Sequence, residues 1–286
     1  MQKKQFNVLI AGELDKLEKA LLHNFIFQGH KVIVIADSLD IEYLEKFKSK
    51  YNIEDNLEII IDNVNKRTFV KNIMLELENR NIKNIDIVIN LMCKNSFIKN
   101  DKDVINNLDT CYIGTINMLD ITSKLNSQYI QVLPKIDDFK NHSDIAIIDS
   151  IKVLVRKYCD SKSIHGRIVT LTECEDSLTI KNIAKLIKEG KELNFIDLNT
   201  NFSYCNSIEA KCDIDRALTE KDFEVSQKFT YTYPLYEVIE CIEEILNKKA
   251  IFKHKKQLYF KDIMPEDKHL LLLNMIKENL SGLIFI

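Results

Sequence analysis

The chain has 286 residues, of which 45% are hydrophobic and 29% charged, and its formal net charge is −3 at pH 7. A chain of this length and composition can bury a substantial core, which argues against disorder, and its small negative charge provides no field for nucleic acid. The first residues lead into an apolar strand without a signal peptide, and no apolar stretch approaches the ~20 residues that span a bilayer. We therefore expect a cytoplasmic globular protein that binds neither nucleic acid nor membrane.

Cysteine and histidine spacing bears on disulfides and metals. The seven cysteines form no Cys-x-x-Cys pair, and the six histidines show no metal-ligand spacing. An odd number of cysteines without such a pair argues against both a disulfide framework and a zinc site. We predict reduced thiols that pack as small hydrophobic side chains, and no metal site.

The chain opens on a pattern typical of a nucleotide-binding α/β domain. Residues 6–11 form an apolar run that ends at Gly12, an amphipathic helix follows through Leu21 and Leu22, and a second strand is predicted at 31–36. Further strands are predicted at 57–61, 85–91, 129–133 and 167–171, and further helices at 38–51, 66–81, around 117–119 and at 144–159. This alternation predicts an α/β fold with a Rossmann-like, doubly wound parallel sheet.

Shorter elements follow residue 174. We predict helices at 180–188, 213–218, 234–246 and 265–280, and strands at 193–196 and 223–233. The change of rhythm predicts two domains: a Rossmann-like, degenerate dinucleotide-binding domain at 1–173 and a smaller C-terminal α/β lobe at 174–286 that covers a substrate or meets a partner.

Seven short segments carry a resemblance that spans nearly the whole chain. They are Val8 to Gly12, Gln28 to Val32, Asp62 to Val64, Asp86 to Leu91, Gly114 to Leu119, Cys212 to Leu218 and Pro234 to Ile239. In this order and spacing they resemble the extended short-chain dehydrogenase/reductase superfamily, in which the sugar-nucleotide epimerases and dehydratases are the nearest group. The resemblance implies a nicotinamide cofactor, NAD or NADP.

The first turn departs from the pattern of that superfamily. It normally carries three glycines, which let backbone amides approach a pyrophosphate, but here Asp15 and Glu18 follow Gly12 in the second and third positions. Asp15 and Glu18 also have the spacing of a capping box, which would use the same amides. We expect dinucleotide binding to be weak or absent; the alternative is a different loop register in which Gly12 and main-chain amides suffice.

Two aspartates stand where the resemblance implies contacts with adenosine. Asp37 follows the second strand, where an acceptor for the ribose is expected, and Asp62 follows the third strand, near the adenine. Each has a simpler interpretation, because Asp37 is placed to cap the next helix and Asp62 suits an ordinary loop.

The catalytic triad of the superfamily is missing from its aligned positions. The resemblance implies a Tyr, a Lys four residues later and a Ser or Thr after the preceding strand, through which a proton moves during hydride transfer. Asp144 stands at the Tyr position and Ile148 at the Lys position, while Leu133 and Pro134 replace the hydroxyl residue. Cys111 replaces a helix Asn that belongs to the proton relay.

One tyrosine in the chain does have a Lys at +4. Tyr158 and Lys162 have the right spacing, but Tyr158 lies about four turns beyond Asp144 and shortly before the strand predicted at Arg167. The simpler interpretation is a tyrosine packing at a helix end beside a solvated lysine.

Two surfaces suggest partners. The helices around 103–124 and 144–159 are rich in apolar residues, and the resemblance implies a dimer through them, either a homodimer or a heterodimer with an intact relative; burial against the sheet is the alternative. A basic cluster suits an acidic partner or a phosphate-bearing small molecule, or else a solvated loop. It comprises Lys248, Lys249, Lys253, His254, Lys255 and Lys256.

These observations lead to two principal hypotheses. The first is a degenerate epimerase/dehydratase-like protein, a pseudoenzyme that acts as a binding or partner subunit in a biosynthetic pathway. The alternative is an atypical NAD(P)-dependent oxidoreductase, epimerase or dehydratase that uses Asp144, Cys111 or the pair Tyr158 and Lys162. Redox-independent chemistry in the same cleft is a third hypothesis, which no residue selects.

Overall fold

The computed structural model divides the chain into two compact units. The residues it describes are 5–12, 14–36, 40–93, 104–135, 142–172, 178–194, 198, 200–228, 230–252 and 266–281. The first unit comprises Met1–Pro134, Ser143–Leu171 and Ser207–Phe229, and the second comprises Lys135–His142, Thr172–Asn206 and Thr230–Ile286.

Strands and helices alternate over the first part of the chain as the apolar pattern predicts. Up to residue 171 the elements are β1 (Asn7–Ala11), α1 (Lys16–Phe27), β2 (Lys31–Ala36), α2 (Ile41–Tyr51), β3 (Leu57–Ile61), α3 (Phe69–Asn79), β4 (Ile87–Asn90), α4 (Val104–Leu125), β5 (Gln128–Pro134), α5 (His142–Lys162) and β6 (Gly166–Leu171). The remaining elements are α6 (Leu178–Glu189), β7 (Glu192–Leu193), β8 (Asn201–Tyr204), α7 (Ser207–Ala217), β9 (Glu224–Val225), β10 (Tyr231–Pro234), α8 (Leu235–Leu246), β11 (Ile251–Phe252) and α9 (Glu266–Leu280).

The first unit is built on a seven-stranded sheet. Its strand order is β3-β2-β1-β4-β5-β6-β9, and every neighbouring pair is parallel. The central strands β1 and β2 are buried along nearly their whole length, as expected for strands covered by helices on both faces. The predicted doubly wound parallel sheet is confirmed.

The direction of winding reverses between β1 and β4. Val8 on β1 pairs with Val32 on β2 at one side and with Ile87 on β4 at the other. In open α/β sheets a crevice forms at this reversal, outside the carboxyl ends of the strands, and it is where ligands bind. The β1–α1 loop, beginning at Gly12, lies at that end of the sheet.

The second unit has its own apolar core. Helices α6, α8 and α9 pack around buried side chains such as Ile183, Phe202 and Ile242. Two small sheets complete this unit, an antiparallel pair of β8 with β10 and a parallel pair of β7 with β11. It is a mixed α/β unit of the kind expected for a smaller lobe.

The prediction of one continuous strand over 223–233 is wrong. β9 extends the large sheet beside β6, while β10 pairs with β8 in the second unit. The polar stretch between them is held by α7, because Asp213 accepts hydrogen bonds from the Lys228 amide at 3.2 Å. Residues 207–229 therefore belong to the first unit, which differs from the division predicted at 173/174.

Six cysteines lie within the described part of the chain, all as free thiols. Cys212 is exposed and the other five are buried, which matches the prediction of thiols used as small hydrophobic side chains. The seventh, Cys174, lies outside the described residues.

Candidate functional site

The β1–α1 loop is packed tightly against the end of β4. A Cβ atom added to Gly12 would lie 2.9 Å from the Cβ of Leu91 and 3.3 Å from Oε1 of Glu18. Glycine is thus required at position 12 by the close approach of the two chain segments. The same geometry places the Glu18 carboxylate directly beside Gly12, and Glu18 is buried, with 2% exposure.

The backbone amides at the start of α1 donate to carboxylates of the chain. Asp15 is the N-cap residue, and its Oδ1 accepts from the amides of Leu17 at 2.8 Å and Glu18 at 3.3 Å. This confirms the predicted Asp15 half of the capping box. Exposed amides at a helix N-terminus are the groups that bind a phosphate, so Asp15 occupies donors that such a ligand would use.

A third carboxylate reaches the loop from α2. Asp40 is the N-cap residue of α2 but makes no capping bond to its own helix; its Oδ2 lies 3.4 Å from the Leu14 amide instead. The sequence prediction missed Asp40, because nothing local marks a contact across 26 residues of chain. Three carboxylates, from Asp15, Glu18 and Asp40, therefore surround the place where a pyrophosphate binds in this kind of turn.

Of the two aspartates expected near adenosine, one can be described. Asp62 accepts hydrogen bonds from Asn72 at 2.9 Å, from Lys66 at 3.0 Å and from the Asn63 amide at 2.7 Å. Burial opposes ionisation of this carboxyl group, but the three hydrogen bonds outweigh it and lower the pKa of Asp62. Asp62 thus organises its own loop. Asp37 lies outside the described residues.

Two positions that align with the superfamily's triad are occupied by core residues. Leu133, at the end of β5, is fully buried, and Ile148 on α5 is 4% exposed. Neither can exchange a proton, and both are packed as ordinary apolar side chains. Asp144 lies in the first turn of α5, and its side chain is outside the described residues.

Cys111 is buried in α4 beside a second cysteine. The Sγ of Cys93 lies 3.7 Å from the carbonyl oxygen of Cys111 and 3.5 Å from Oγ1 of Thr115. The neighbouring Cys111 thiol and burial raise the pKa of Cys93 well above its usual range. A raised pKa disfavours the thiolate, which is the nucleophilic form of a cysteine.

A buried polar network joins β4 to β5 near the crevice. The Asn90 amide donates to Oη of Tyr129 and to Oε1 of Gln131, both at 3.0 Å, and the Tyr129 hydroxyl donates to Gln131 at 2.6 Å. Burial raises the pKa of Tyr129, which keeps the phenol protonated. Sequence analysis missed this network, although polar residues inside otherwise apolar strands are its signal.

Tyr158 and Lys162 lie at the amino-terminal ends of the strands, opposite to the end where Gly12 lies. They occupy the last turn of α5, just before β6 starts at Gly166, whereas Gly12 lies at the carboxyl ends of the strands. Burial and the adjacent Asp120, whose Oδ1 is 3.4 Å from the hydroxyl, raise the pKa of Tyr158. The structure therefore does not bring this pair together with the β1–α1 loop.

The described members of the basic cluster have partners within the protein. Lys248 donates to the carbonyl oxygen of Lys188 at 2.7 Å, and Lys249 forms an ion pair with Glu243 at 2.6 Å. The other four members, from Lys253 to Lys256, lie outside the described residues.

The described ranges contain neither a cluster of metal-ligating side chains nor a membrane-spanning helix. Within them no group of three His, Cys, Asp or Glu residues is placed to hold a metal ion. Nor does any helix in this part of the chain have the length and apolar character needed to cross a membrane.

Comparisons with known proteins give matches among solved structures alone. No protein-family model and no curated protein matches the chain. Pen from Bacillus thuringiensis aligns with a TM-score of 0.67 and 18% identity over 93% of this chain and 84% of its own. UDP-glucose 4-epimerase from Thermotoga maritima, solved with UDP-glucose, aligns with a TM-score of 0.66 and 13% identity over 97% of this chain and 99% of its own.

A third structure carries a nicotinamide cofactor. The dTDP-glucose 4,6-dehydratase from Bacillus anthracis, in complex with NAD, aligns with a TM-score of 0.62 and 14% identity over 98% of each chain. This chain has the fold of the sugar-nucleotide epimerases and dehydratases. The fold expected from the seven segments is thereby confirmed, and at such identities the likeness extends to the fold alone.

The hydrogen bonds of Asp62 predict a pH dependence of stability. Because the pKa of Asp62 is lowered in the folded chain, its contribution is present above the unfolded pKa of about 3.9 and is lost as pH falls through the folded value. Replacement Asn72→Ala removes one hydrogen bond to this carboxylate. We expect the pKa of Asp62 to rise in the variant, and its stability deficit to shrink below about pH 4.

The measurement is a carboxyl NMR titration of both proteins together with urea unfolding at several pH values. Thr68→Ala is the control, since it removes only the 3.4 Å contact between Thr68 and Asn72 and leaves Asp62 its partners. An unchanged Asp62 pKa in Asn72→Ala would show that the hydrogen bond from Asn72 does not lower this pKa, and would contradict the prediction.

Proposed function

We propose that this protein is a pseudoenzyme with the epimerase/dehydratase fold, a cytoplasmic binding or partner subunit without the oxidoreductase activity of that fold family. The observation that carries the proposal is the set of carboxylates around the first loop. Asp15 accepts hydrogen bonds from the backbone amides of Leu17 and Glu18, and Asp40 accepts one from the amide of Leu14. The Glu18 carboxylate lies beside Gly12.

Electrostatics supports the same proposal. A pyrophosphate entering the loop would meet the carboxylates of Asp15 and Asp40, and each like-charge pair at about 4 Å costs about 1 kcal/mol even in bulk water. The buried Glu18 side chain lies beside Gly12, where the ligand would approach the backbone. Buried apolar side chains at the positions of Leu133 and Ile148 support the absence of family catalysis.

An atypical NAD(P)-dependent enzyme is the second candidate. It is favoured by Gly12, which keeps the close approach of the loop to Leu91, and by the likeness to NAD-bound structures over nearly the whole chain. In that case the acid or base would come from the start of α5, where Asp144 lies.

Restoring glycine in the first loop is expected to restore binding. Asp15→Gly/Glu18→Gly removes two carboxylates and frees the amides of Leu17 and Glu18, while a glycine N-cap costs only a few tenths of a kcal/mol and a glycine within the helix about 1 kcal/mol. We expect the wild type to give no heat in calorimetric titration with NAD⁺, NADH, NADP⁺ or NADPH, and the double variant to bind at least one of them.

Glu54→Gln/Asp55→Asn removes two exposed carboxylates elsewhere and serves as the matched control, expected to behave as the wild type. Circular dichroism checks that each variant is folded. Micromolar binding by the wild type, roughly −8 kcal/mol, together with cofactor-dependent turnover would overturn the proposal and favour the atypical enzyme.

We also propose that the chain dimerises through α4 and α5. Both helices expose large apolar side chains: Ile113 and Ile116 on α4 are 38% and 42% exposed, and Ile145 and Val153 on α5 are 40% and 59% exposed. Exposed apolar side chains on adjacent helices suit a self-complementary interface. A homodimer would pair this face with its own copy, and a heterodimer would pair it with a relative that keeps the catalytic residues.

Light scattering tests the homodimer. The wild type is expected to have twice the monomer mass of 33.4 kDa, and Ile116→Asp/Val153→Asp to have the monomer mass, because buried charges oppose association. Phe27→Asp/Ile208→Asp changes two side chains that are 60% and 70% exposed elsewhere and is expected to leave the dimer intact. A monomeric wild type would contradict the homodimer.

A further inference from the structure

A second concave surface of the first unit lies along α3, apart from the crevice. It is a groove of about 820 Å³ between α3, the segment that follows α3, and the last turn of α4. It is lined by Arg67, Val70, Lys71, Met74, Leu75, Leu77, Glu78, Asn81, Ile82, Lys83, Lys124 and Leu125. We call this surface the α3 groove.

The floor of the α3 groove is largely apolar, with side chains of α3 beside Ile82 and Leu125. Phe69, Ile73 and Leu77 form the buried stripe that faces the core. Val70 and Met74 adjoin this stripe and line the groove, and Leu75 adds an apolar side chain that is 45% exposed. Apolar side chains that remain exposed in a groove suit contact with another protein surface.

The basic side chains of the groove are available to a ligand. Arg67, Lys71 and Lys83 make no ion pair with any residue that the structure describes. Arg80, the C-cap residue of α3, differs, because it is held by Glu58 at 3.0 Å and Glu76 at 3.1 Å. The cations on and beside α3 are therefore divided into one bound within the domain and others left at the groove.

The charges lie at both ends of the groove. Arg67 and Lys71 lie near the start of α3, and Lys83 follows its end, close to Lys124 on α4, which has a weak ion pair with Asp120 at 3.8 Å. Among the described residues that line the groove, Glu78 is the single carboxylate. An α-helix of 11 residues is about 16 Å long, which matches about three turns of another helix laid along it.

We propose that the α3 groove docks an acidic amphipathic helix of a partner protein. The apolar stripe would cover Val70, Met74 and Leu75, and carboxylates beside it would meet Lys71 and Lys83. Helix-in-groove recognition uses this combination of an apolar floor and a charged rim. The proposal goes beyond the function of the crevice and holds whether or not a nicotinamide cofactor binds there.

The probe is a fluorescein-labelled synthetic helix of about four turns, with leucine along one face and glutamate elsewhere, added to the full chain. Fluorescence anisotropy is expected to show saturable binding. Lys71→Glu/Lys83→Glu should weaken it about 10-fold or more, because two attractions become repulsions. Lys221→Glu/Lys228→Glu, which reverses two exposed charges elsewhere, should change it little.

A second pair of variants tests the floor of the groove. Leu75→Asp should weaken binding of the same probe, whereas Ile208→Asp, at a side chain that is 70% exposed on α7, should not. Hydrogen exchange should show added protection at residues 67–83 when the probe is bound.

Three results would overturn the proposal. One is no binding by the folded wild type, or binding that the groove variants leave unchanged. Another is equal binding of a probe with lysine in place of glutamate, which would remove the charge argument. The third is self-association of the chain that Leu75→Asp abolishes and Ile208→Asp does not, which would make a second copy the occupant.

Discussion

The first turn of α1 has backbone N–H groups that need acceptors, and in this chain carboxylates of the chain supply them. Asp15 caps the helix from within, and Asp40 reaches across from α2. An N-cap of this kind stabilises a protein by about 1 kcal/mol whether or not a ligand is present. A dinucleotide would have to displace these acceptors and also enter beside Glu18. The proposed loss of cofactor binding therefore rests on the conformation of a single loop.

The rest of the crevice agrees with this view. Around it the sheet is filled either by apolar side chains, as at Leu133, or by amide and phenol groups that satisfy one another, as at Asn90 and Gln131. Such a network stabilises and orders a core but leaves no group poised to exchange a proton. The protein thus keeps a well-packed parallel sheet, and the buried apolar side chains at Leu133 and Ile148 agree with the proposed loss of oxidoreductase activity.

Much of the fold could be predicted because it depends on local pattern. Mostly apolar runs such as Ile87–Asn90 indicate strands buried on both faces, and the spacing of Asp15 and Glu18 indicates the N-cap of α1. Contacts between distant segments could not be read in this way. The reach of Asp40 to Leu14 crosses 26 residues, and the split of 223–233 between two sheets depends on the hydrogen bonds that α7 makes to its flank. The α3 groove is of the same kind, since its second wall comes from α4.

The central claim is that carboxylates of the chain already occupy the amides of the first loop. It is tested most directly by NMR of ¹⁵N-labelled wild-type protein during titration with NADH. The account predicts that the amide signals of Leu14, Leu17 and Glu18 stay in place up to millimolar NADH, since their hydrogen bonds to Asp40 and Asp15 persist. Saturable movement of these three signals at micromolar NADH would show that pyrophosphate displaces the carboxylates, and would contradict the account.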